Sequence, residues 1–291
     1  MPSLIGSYNI SGNAHAVSLS PDGNTAYLAD ANSGLQIIDL VDPAANGTAS
    51  ISISPSHIGS VDTPDEALGV VLSADGNTAF VADGESGLQI FDVTNPVNPT
   101  FKSAFNTPGV ANAVTLSADG DTAFVADWSS GLQIIDVSIP VSPTLKATLG
   151  TSGEAKDVVL SADGNTAFIA NQTGGLKIVD VSTLSNPTLK GSFSTSSEVR
   201  DVTLSPDGQT AYLADGFDGL RIINVSDLTS PILLGTLKTA DFAHGVALSA
   251  DGNTAYIADN DSGMQIIDVS NPSSPSLIAQ INTPGHAYSI S

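Results

Sequence analysis

Apolar and polar residues alternate along the chain in a pattern that recurs six times. Each copy opens with a short apolar run of the type VxLS, turns at an Asp-Gly pair, and continues with the runs TAYxAD and GLQIIDV. The second and third runs carry apolar residues at adjacent positions, which is typical of strands buried on both faces. A linker rich in proline and a more polar run such as PTLKGSF complete the copy. The pattern predicts four strands in each unit.

The opening valines measure the length of the repeat, and they are Val17, Val70, Val114, Val158, Val202 and Val246. From the second valine onward they lie 44 residues apart, whereas the first interval is 53 residues because about nine extra residues fall within residues 41–55. Asp-Gly allows a side-chain bond to the turn backbone and a glycine at positive φ, so it is a strong hairpin signal. The first and second strands of each unit should therefore form a hairpin.

Four-stranded sheets of this repeat length stack face to face around an axis as the blades of a propeller. We therefore expect an all-β protein, a β-propeller of four-stranded antiparallel blades. Residues 1–291 should form a single domain in which residues 14–285 contain the six complete units. A right-handed β-solenoid is the alternative, but its turns are usually shorter than 44 residues.

The two ends of the sequence match incomplete units. Residues 1–13 match the fourth strand of a unit, and residues 286–291 match the first strand, with Ile290 in the place of Leu19. These are the terminal strands of a seventh blade whose two middle strands are missing. The interpretation we favour is a truncated seven-blade ring, in which the natural chain continues past Ser291. The alternatives are six closed blades with overlapping spare strands, or open edges that pair with a neighbouring molecule.

Two runs carry a resemblance to a known family. Residues 176–182 (LKIVDVS) and the run GMQIIDVSNP around Ile267 resemble the LVIVD repeat, a β-propeller repeat of bacterial and archaeal surface proteins. The hairpin SPDGxTAYxAD is also similar to the YVTN propeller repeats of cell-surface proteins. The resemblance covers residues 17–291. It implies a propeller fold and an extracellular role in binding or structure, and it brings no catalytic motif.

Composition narrows the possible partners. The net charge is −22, with 30 acidic and 8 basic residues, so the surface should repel nucleic acid and anionic membranes. The absence of cysteine excludes disulfides, thiolate metal sites and cysteine nucleophiles.

The start MPSLIGSYNI lacks the features of a signal peptide, and no apolar run approaches the roughly 18 residues of a membrane span. Either the chain is cytoplasmic or it is a piece of an exported protein; the resemblance favours an extracellular or cell-surface location, with the export signal absent from this chain.

The uncommon residues fall on one face of the predicted propeller. The loop between the second and third strands and the loop that enters the next blade should lie together at the mouth of the central channel, opposite the Asp-Gly turns. Variable residues on one rim of a repeated scaffold are the usual means of ligand binding in repeat proteins. The alternative is ordinary loop variation at a wet channel mouth. The predicted ligand-binding rim consists of His15, Glu66, Trp128, Glu154, Lys156, Glu198, Arg200, Phe217, His244 and His286.

No cofactor is expected, although two metal hypotheses deserve a test. Three histidines, His15, His244 and His286, share one column and would be neighbours in a seven-blade ring. If their side chains converge there, the three imidazoles would bind a transition metal such as zinc. Water-bonded channel histidines are the commoner outcome. Calcium would need the aspartates that close the second and third strands. Each aspartate belongs to a different blade and Asn171 replaces one of them, so capping of loop N–H groups is favoured.

Catalytic signatures are lacking. The sequence contains no GxSxG elbow, and Lys156 and Arg200 should hold the candidate acid–base pair Glu154 and Glu198 ionised. We expect a non-enzymatic module that binds a protein or carbohydrate ligand through the rim. The alternative is a structural module that self-associates through its open terminal strands, and the least favoured is a hydrolase of the lactonase or glycosidase type.

Overall fold

Twenty-four β-strands form six four-stranded antiparallel sheets in the part of the chain that the structure, a computed structural model, describes: residues 6–10, 12–41 and 55–291. Each sheet takes four consecutive strands in chain order, so that the first strand of a sheet pairs with the second, the second with the third and the third with the fourth. No helix able to cross a membrane occurs in these residues.

Each blade contains four consecutive strands. Blade one consists of Ala16–Leu19 (β1), Thr25–Ala29 (β2), Leu35–Asp39 (β3) and Ser56–Val61 (β4). Blade two consists of Ala67–Leu72 (β5), Thr78–Asp83 (β6), Leu88–Asp92 (β7) and Thr100–Phe105 (β8). Blade three consists of Ala113–Leu116 (β9), Thr122–Ala126 (β10), Leu132–Asp136 (β11) and Thr144–Leu149 (β12).

The other three blades follow the same order. Blade four consists of Asp157–Leu160 (β13), Thr166–Ala170 (β14), Leu176–Asp180 (β15) and Thr188–Phe193 (β16). Blade five consists of Val199–Leu204 (β17), Thr210–Asp215 (β18), Leu220–Asn224 (β19) and Ile232–Leu237 (β20). Blade six consists of Gly245–Leu248 (β21), Thr254–Ala258 (β22), Met264–Asp268 (β23) and Ser276–Ile281 (β24).

The blades form a ring around a central channel. The first strand of each blade packs against the first strand of the next, from β1 on β5 through to β17 on β21. The predicted all-β propeller with six complete units is confirmed as a six-bladed β-propeller. The rim therefore sits on a ring of blades whose first strands pack next to one another along the channel.

The core lies between neighbouring blades, as the buried runs of the sequence predict. Every residue of β6 is buried, and Phe124 of blade three packs with Val158 and Ile169 of blade four. Burial of such a side chain contributes about 1.5–3 kcal/mol. Because each interface uses the same positions of every unit, the six copies build one repeated packing layer.

The Asp-Gly turns satisfy their own polar groups. In blade four the Ser161 hydroxyl donates to Asp163 Oδ1 over 2.6 Å, and the same oxygen accepts the Asn165 N–H over 3.0 Å. Gly164 between them has φ +70°, a conformation that glycine adopts without strain. The Ser-to-Asp bond recurs in all six turns at 2.5–2.6 Å.

Neighbouring blades are joined at the opposite end by a short antiparallel bridge, which we call the seam. One residue of each seam follows the second strand and has positive φ. In five seams the other residue begins or shortly precedes the first strand of the next blade, and in the sixth it is Ala287 of the C-terminal segment. In the first seam Ala31 N–H donates to Ala67 O over 3.0 Å, and Ala67 N–H donates back over 3.1 Å. The six seams are Ala31–Ala67, Gly84–Ala111, Trp128–Ala155, Gln172–Val199, Gly216–Ala243 and Asn260–Ala287.

The terminal strands expected for a seventh blade do not form as strands. Residues 6–10 have no strand pairing, and in residues 286–291 only Ala287 is paired, through the sixth seam. Neither segment has a neighbouring strand to pair with, so each stays irregular. The C-terminal segment nevertheless lies where a next unit would begin. The rest of the leading segment, residues 1–5 and 11, and the extra residues of the first unit from 42 to 54 lie outside the described residues.

Candidate functional site

A cavity of about 480 Å³ opens at the mouth of the channel, on the face of the seams. Residues from all six blades and from the C-terminal segment line it. Six of the ten predicted rim residues are among them: His15, Glu66, Trp128, Lys156, Arg200 and His244. We refer to this space as the channel-mouth cavity.

A larger groove of about 710 Å³ lies on the flank of blade two and carries a different surface. Its lining includes Phe91, Phe101, Gln89 and Glu85. Phe91 and Phe101 replace the aliphatic residues that other units have at the same positions, such as Ile135 and Leu145. The groove therefore combines a local aromatic substitution with few charged groups, unlike the channel-mouth cavity.

The backbone fixes the residues that point into the channel-mouth cavity. Each lies two positions before the opening valine, and in several blades its N–H donates over 2.8 Å to the last residue of the second strand, as from Lys156 to Ala170 O and from His244 to Ala258 O. The valine itself is buried between blades; Val158 is 2% exposed. Six different side chains thus stand on equivalent supports: His15, Leu68, Asn112, Lys156, Arg200 and His244.

Lys156 lies over the ring of Trp128. Its Nζ is 3.3 Å from the ring centroid, a cation–π contact between blades three and four. Nζ also lies 3.5 Å from Asn112 Oδ1. Burial and the nearby Arg200 charge lower the pKa of Lys156 to about 8, against the opposing effect of Glu154 and Glu198. Glu154, which does not line the cavity, thus acts on Lys156 through its charge.

Arg200 is held by a carboxylate and an aromatic ring. Its Nη2 donates to Glu198 Oε2 over 2.5 Å, and Gln172 Nε2 donates to the same oxygen over 3.2 Å. The guanidinium carbon lies 5.2 Å from the Phe242 ring centroid. The Nε atom is buried and has no hydrogen-bond partner. The guanidinium therefore retains an unused donor beside the cavity.

A row of rings crosses one side of the mouth. Phe217 packs edge-on against Phe242 at 4.8 Å between centroids, and Phe242 lies 4.8 Å from His244. Tyr288 continues the row, 4.9 Å from His244 and stacked on His15 at 5.2 Å. Tyr288 of the C-terminal segment thus connects blade six to blade one. Phe217 itself is 65% exposed and lies outside the cavity lining.

The two histidines of the cavity are neutral at pH 7. Burial, the Arg200 charge and His15 lower the pKa of His244 to about 4. Burial also lowers the pKa of His15, although the Glu66 carboxylate opposes this effect. Each neutral imidazole offers one donor and one acceptor.

Asp157 and Asp201 form a pair of carboxyl groups inside the channel. They stand one position before the opening valine in blades four and five, and their side chains hydrogen-bond to each other. Asp157 Oδ2 accepts the Val202 N–H over 3.2 Å, and Asp201 Oδ2 accepts the Val246 N–H over 2.7 Å. Burial and the charge of Asp157 raise the pKa of Asp201 well above its usual value, and burial raises the pKa of Asp157. The pair therefore retains a shared proton to higher pH than two separate carboxyl groups would.

Sequence reasoning missed this acid pair, together with Tyr288 and Phe242 as parts of the site. A signal for the pair was present, because the equivalent residues of the other four units are all small: Ala16, Gly69, Ala113 and Gly245. Tyr288 lacked such a signal, since its place depends on how the C-terminal segment packs. The aromatic row follows from that packing.

The structure does not gather the three candidate zinc histidines. His15 and His244 contact Tyr288 from two sides, so its ring stands between them. His286 lies outside the cavity lining, with Nδ1 2.5 Å from Asp261 Oδ1. Among the described residues no group of three or more His, Cys, Asp or Glu side chains is arranged to hold a metal ion.

Residues of the two columns proposed for calcium cap nearby loops, as Asp127, Asn171 and Asp180 show. Asp127, fully buried at the end of the second strand, accepts bonds from Thr107 Oγ1 over 2.6 Å and from Gly109 N–H over 3.0 Å. Asn171 makes the equivalent contact with Thr151 Oγ1 over 2.7 Å. At the end of the third strand Asp180 accepts from Ser182 and pairs with Lys190 at 3.0 Å. These contacts are the loop caps expected of such positions.

Comparison with known proteins identifies the repeat. The sequence profile described as the LVIVD repeat matches residues 11–63, 70–107, 108–151, 152–195, 198–239 and 243–283. A search of curated proteins finds no significant match.

Several solved structures share the fold. The Cps50 (Swd1) β-propeller domain of Myceliophteria thermophila is 15% identical, with a TM-score of 0.74 over 98% of this chain and 90% of that one. Hydrazine synthase of Kuenenia stuttgartiensis is 17% identical, with a TM-score of 0.74 over 95% and 88%. A functionally unknown protein of Desulfotomaculum acetoxidans is 14% identical, with a TM-score of 0.78 over 97% and 89%. Identities this low establish the fold and nothing about activity.

Proposed function

Because the chain belongs to the LVIVD-repeat family, we propose that it is a non-enzymatic binding module of the cell surface or the extracellular space. Its ligand, a carbohydrate or a protein, binds at the channel-mouth rim. The resemblance to surface-protein repeats supports the location, and the net charge of −22 suits a soluble module with neither nucleic acid nor an anionic membrane as partner.

The observation that carries the proposal is the concentration of unlike, incompletely bonded side chains in one cavity. Lys156, Arg200, Trp128 and His244 converge there from four blades, and Tyr288 joins them from the C-terminal segment. The volume of about 480 Å³ falls within the range of small-molecule sites. The opposite rim, which is equally exposed, repeats one turn six times.

Catalysis by Glu154 and Glu198 has little support. Burial raises the pKa of Glu198, but hydrogen bonds from Gln172 and Arg200 outweigh it, so that the pKa is lowered overall. A glutamate held ionised in this way cannot serve as a general acid near neutral pH. The rim is therefore better suited to binding than to proton transfer by these two residues.

Self-association through the terminal segments is the second candidate. Residues 6–10 and 288–291 have no strand partner, and unpaired backbone invites pairing with another chain. Size-exclusion chromatography with light scattering distinguishes the two. Oligomers that disappear when residues 1–13 are deleted would favour self-association, whereas a monomer favours the rim as the functional surface.

A binding array tests the proposed function. Labelled protein is applied to printed saccharides and purified cell-surface proteins, and the wild type is compared with Trp128→Ala and with Asp163→Ala in a turn of the opposite rim. We expect the Trp128→Ala variant to lose binding and the Asp163→Ala variant to retain it. Equal binding by all three proteins would show that the rim is not the site.

A further inference from the structure

Blades four and five repeat an arrangement that no other blade has. Lys156-Asp157 and Arg200-Asp201 place a cation and then a carboxyl group at the same two positions of neighbouring units. The other units have His-Ala, Leu-Gly, Asn-Ala and His-Gly there. The strands β13 and β17 pack directly on each other, so the two arrangements lie side by side in the channel-mouth cavity.

The cations of this arrangement have unused donors. Arg200 gives Nη2 to Glu198, but its Nε is buried without a partner. Lys156 Nζ lies on the Trp128 ring, and its contact with Asn112 Oδ1 is long at 3.5 Å. The ammonium group of Lys156 has three donors and the guanidinium of Arg200 has five, and these few contacts use only some of them. Because both residues line the cavity, a ligand there can accept hydrogen bonds from the donors that remain.

The neighbouring carboxyl groups of Asp157 and Asp201 can both donate and accept hydrogen bonds. Asp157 and Asp201 hydrogen-bond to each other and remain partly exposed to the channel. Two carboxyl groups in contact favour a shared proton, which lowers their joint charge, and their remaining oxygen lone pairs are free acceptor positions. Donors and acceptors for a ligand therefore lie next to each other.

The charges around the cavity select the class of ligand. An anion would be attracted by Lys156 and Arg200 but would meet Asp157 and Asp201 and a molecule of net charge −22. A cation would meet Lys156 and Arg200 directly. Hydroxyl groups both donate and accept, so a neutral polyhydroxyl compound can bond to the cations and to the acid pair without a repelled charge. Trp128 and Tyr288 add ring faces for the apolar side of such a molecule.

We propose that the channel-mouth cavity binds a neutral saccharide, with its hydroxyl groups bonded to Lys156, Arg200 and the Asp157–Asp201 pair and a sugar ring packed against Trp128. This inference rests on the proposed function and names its ligand. The volume of about 480 Å³ admits the end of a saccharide chain rather than a folded partner.

The single tryptophan makes the test direct, because Trp128 is the only one in the chain and lies in the cavity. Glucose, galactose and mannose series are used, each as the neutral sugar, the amino sugar and the uronic acid, so that only the charge changes. Trp128 emission and isothermal calorimetry follow binding. We expect a neutral member to bind at least about tenfold more tightly than its charged counterparts.

Matched variants locate the contacts. Lys156→Gln and Asp201→Asn should each weaken binding about tenfold, the loss of one or two hydrogen bonds. Lys190→Gln on the outer strand β16 and Asp207→Asn in a turn of the opposite rim carry the same changes away from the cavity and should leave binding unchanged.

The outcomes separate the two proposals. Tighter binding of a uronic acid or amino sugar, still lost in Lys156→Gln, would overturn the neutral ligand but retain a binding rim. If no sugar binds and a protein on the array binds through Trp128, the saccharide proposal also fails while the binding rim is retained. If neither sugars nor proteins respond to the rim variants, both proposals fail. Release of sugar products, seen by chromatography, would overturn the non-enzymatic assignment.

Discussion

The two rims of the propeller are built from the same repeat yet satisfy their polar groups in opposite ways. On the turn rim, Ser161, Asp163 and Asn165 bond to one another within five residues of sequence. On the mouth rim, contacts run between blades, from Lys156 to Trp128 and from Asp201 to the N–H of Val246. Polar groups of the turn rim are bonded within a single turn, whereas those of the mouth rim bond to residues of neighbouring blades.

The difference explains why one rim is uniform and the other is varied. A turn that bonds internally can be copied from unit to unit without reference to the next blade. A side chain that reaches another blade is fitted to that particular neighbour, so it differs in each unit. Polar groups left incompletely bonded, such as Arg200 Nε, then occur on the mouth rim. Substitutions on the two rims should therefore affect different properties of the molecule.

The largest contrast is expected between two aspartates of the same blade, Asp201 in the channel and Asp207 in the turn. Burial and the Asp157 charge raise the pKa of Asp201 in the folded protein. At pH values between its pKa in the unfolded chain and its pKa in the folded protein, the folded protein therefore holds a proton that the unfolded chain has lost. Stability therefore falls as the pH rises through that window, by about 1.4 kcal/mol for each unit of raised pKa. Asp201→Asn should raise the free energy of unfolding at pH 8 and have a smaller effect at pH 5.

Asp207→Asn should act in the opposite direction. Hydrogen bonds from Ser205 and from the Gln209 N–H lower the pKa of Asp207, so its contribution is present above the usual pKa and is lost as the pH falls through the folded value. The substitution should cost less than about 1 kcal/mol at pH 8 because the site is exposed. Urea unfolding of both variants at pH 8 and pH 5 measures the signs. A destabilised Asp201→Asn variant at both pH values would contradict the raised pKa of Asp201.

A smaller contrast separates two residues at positive φ. Gly164→Ala in a turn has space for the added Cβ, so its cost is the backbone strain of about 1–2 kcal/mol at φ +70°. Trp128→Gly relieves the comparable strain at φ +46° and loses a cation–π contact of about 0.5–1 kcal/mol. Thermal unfolding should show a loss of stability for Gly164→Ala and a change within about 1 kcal/mol for Trp128→Gly.

Ligand binding should reverse the ranking of these two variants. Gly164→Ala should bind the ligand as the wild type does, while Trp128→Gly should not. Gly84 and Gly216 already occupy the position of Trp128 in two other blades, so the fold does not require the indole. If Trp128→Gly were the more destabilised protein, the tryptophan would be a structural residue.

The smallest effect is a change in Trp128 emission with pH. Lys156 has a pKa lowered to about 8, chiefly by burial, and its ammonium group lies on the indole ring. Emission should change with a midpoint near pH 8, and Lys156→Gln should abolish the transition. Because the folded pKa is below the ordinary value, the lysine charge costs stability at neutral pH, and this cost should decline as the pH rises above 8. A transition unchanged in the variant would place its origin elsewhere.

The sequence predicts the fold well because each blade depends on local signals. Asp-Gly turns, buried runs and a constant spacing determine hairpins and blades without knowledge of distant residues. The terminal segments are harder, since their conformation depends on whether a partner strand is present. Residues 286–291 match a first strand in composition but remain irregular.

The site is predictable only in part for the same reason. Sorting variable residues by face found Lys156, Arg200 and His244, because their location follows from position in the repeat. The bond between Asp157 and Asp201 depends on the distance between two blades, which spacing alone does not give. Tyr288 enters the site through the packing of the C-terminal segment against His15 and His244.

The seams have a consequence for how such a chain changes over generations. Each seam uses backbone atoms only, and the same pattern occurs at the five junctions between blades and again between blade six and Ala287 of the C-terminal segment. Unequal recombination that removes or duplicates 44 residues would therefore bring together two units whose backbone atoms can form the same bridge. Gene copies could gain or lose whole blades without a new interface, while the side chains that cross between blades would have to be selected again.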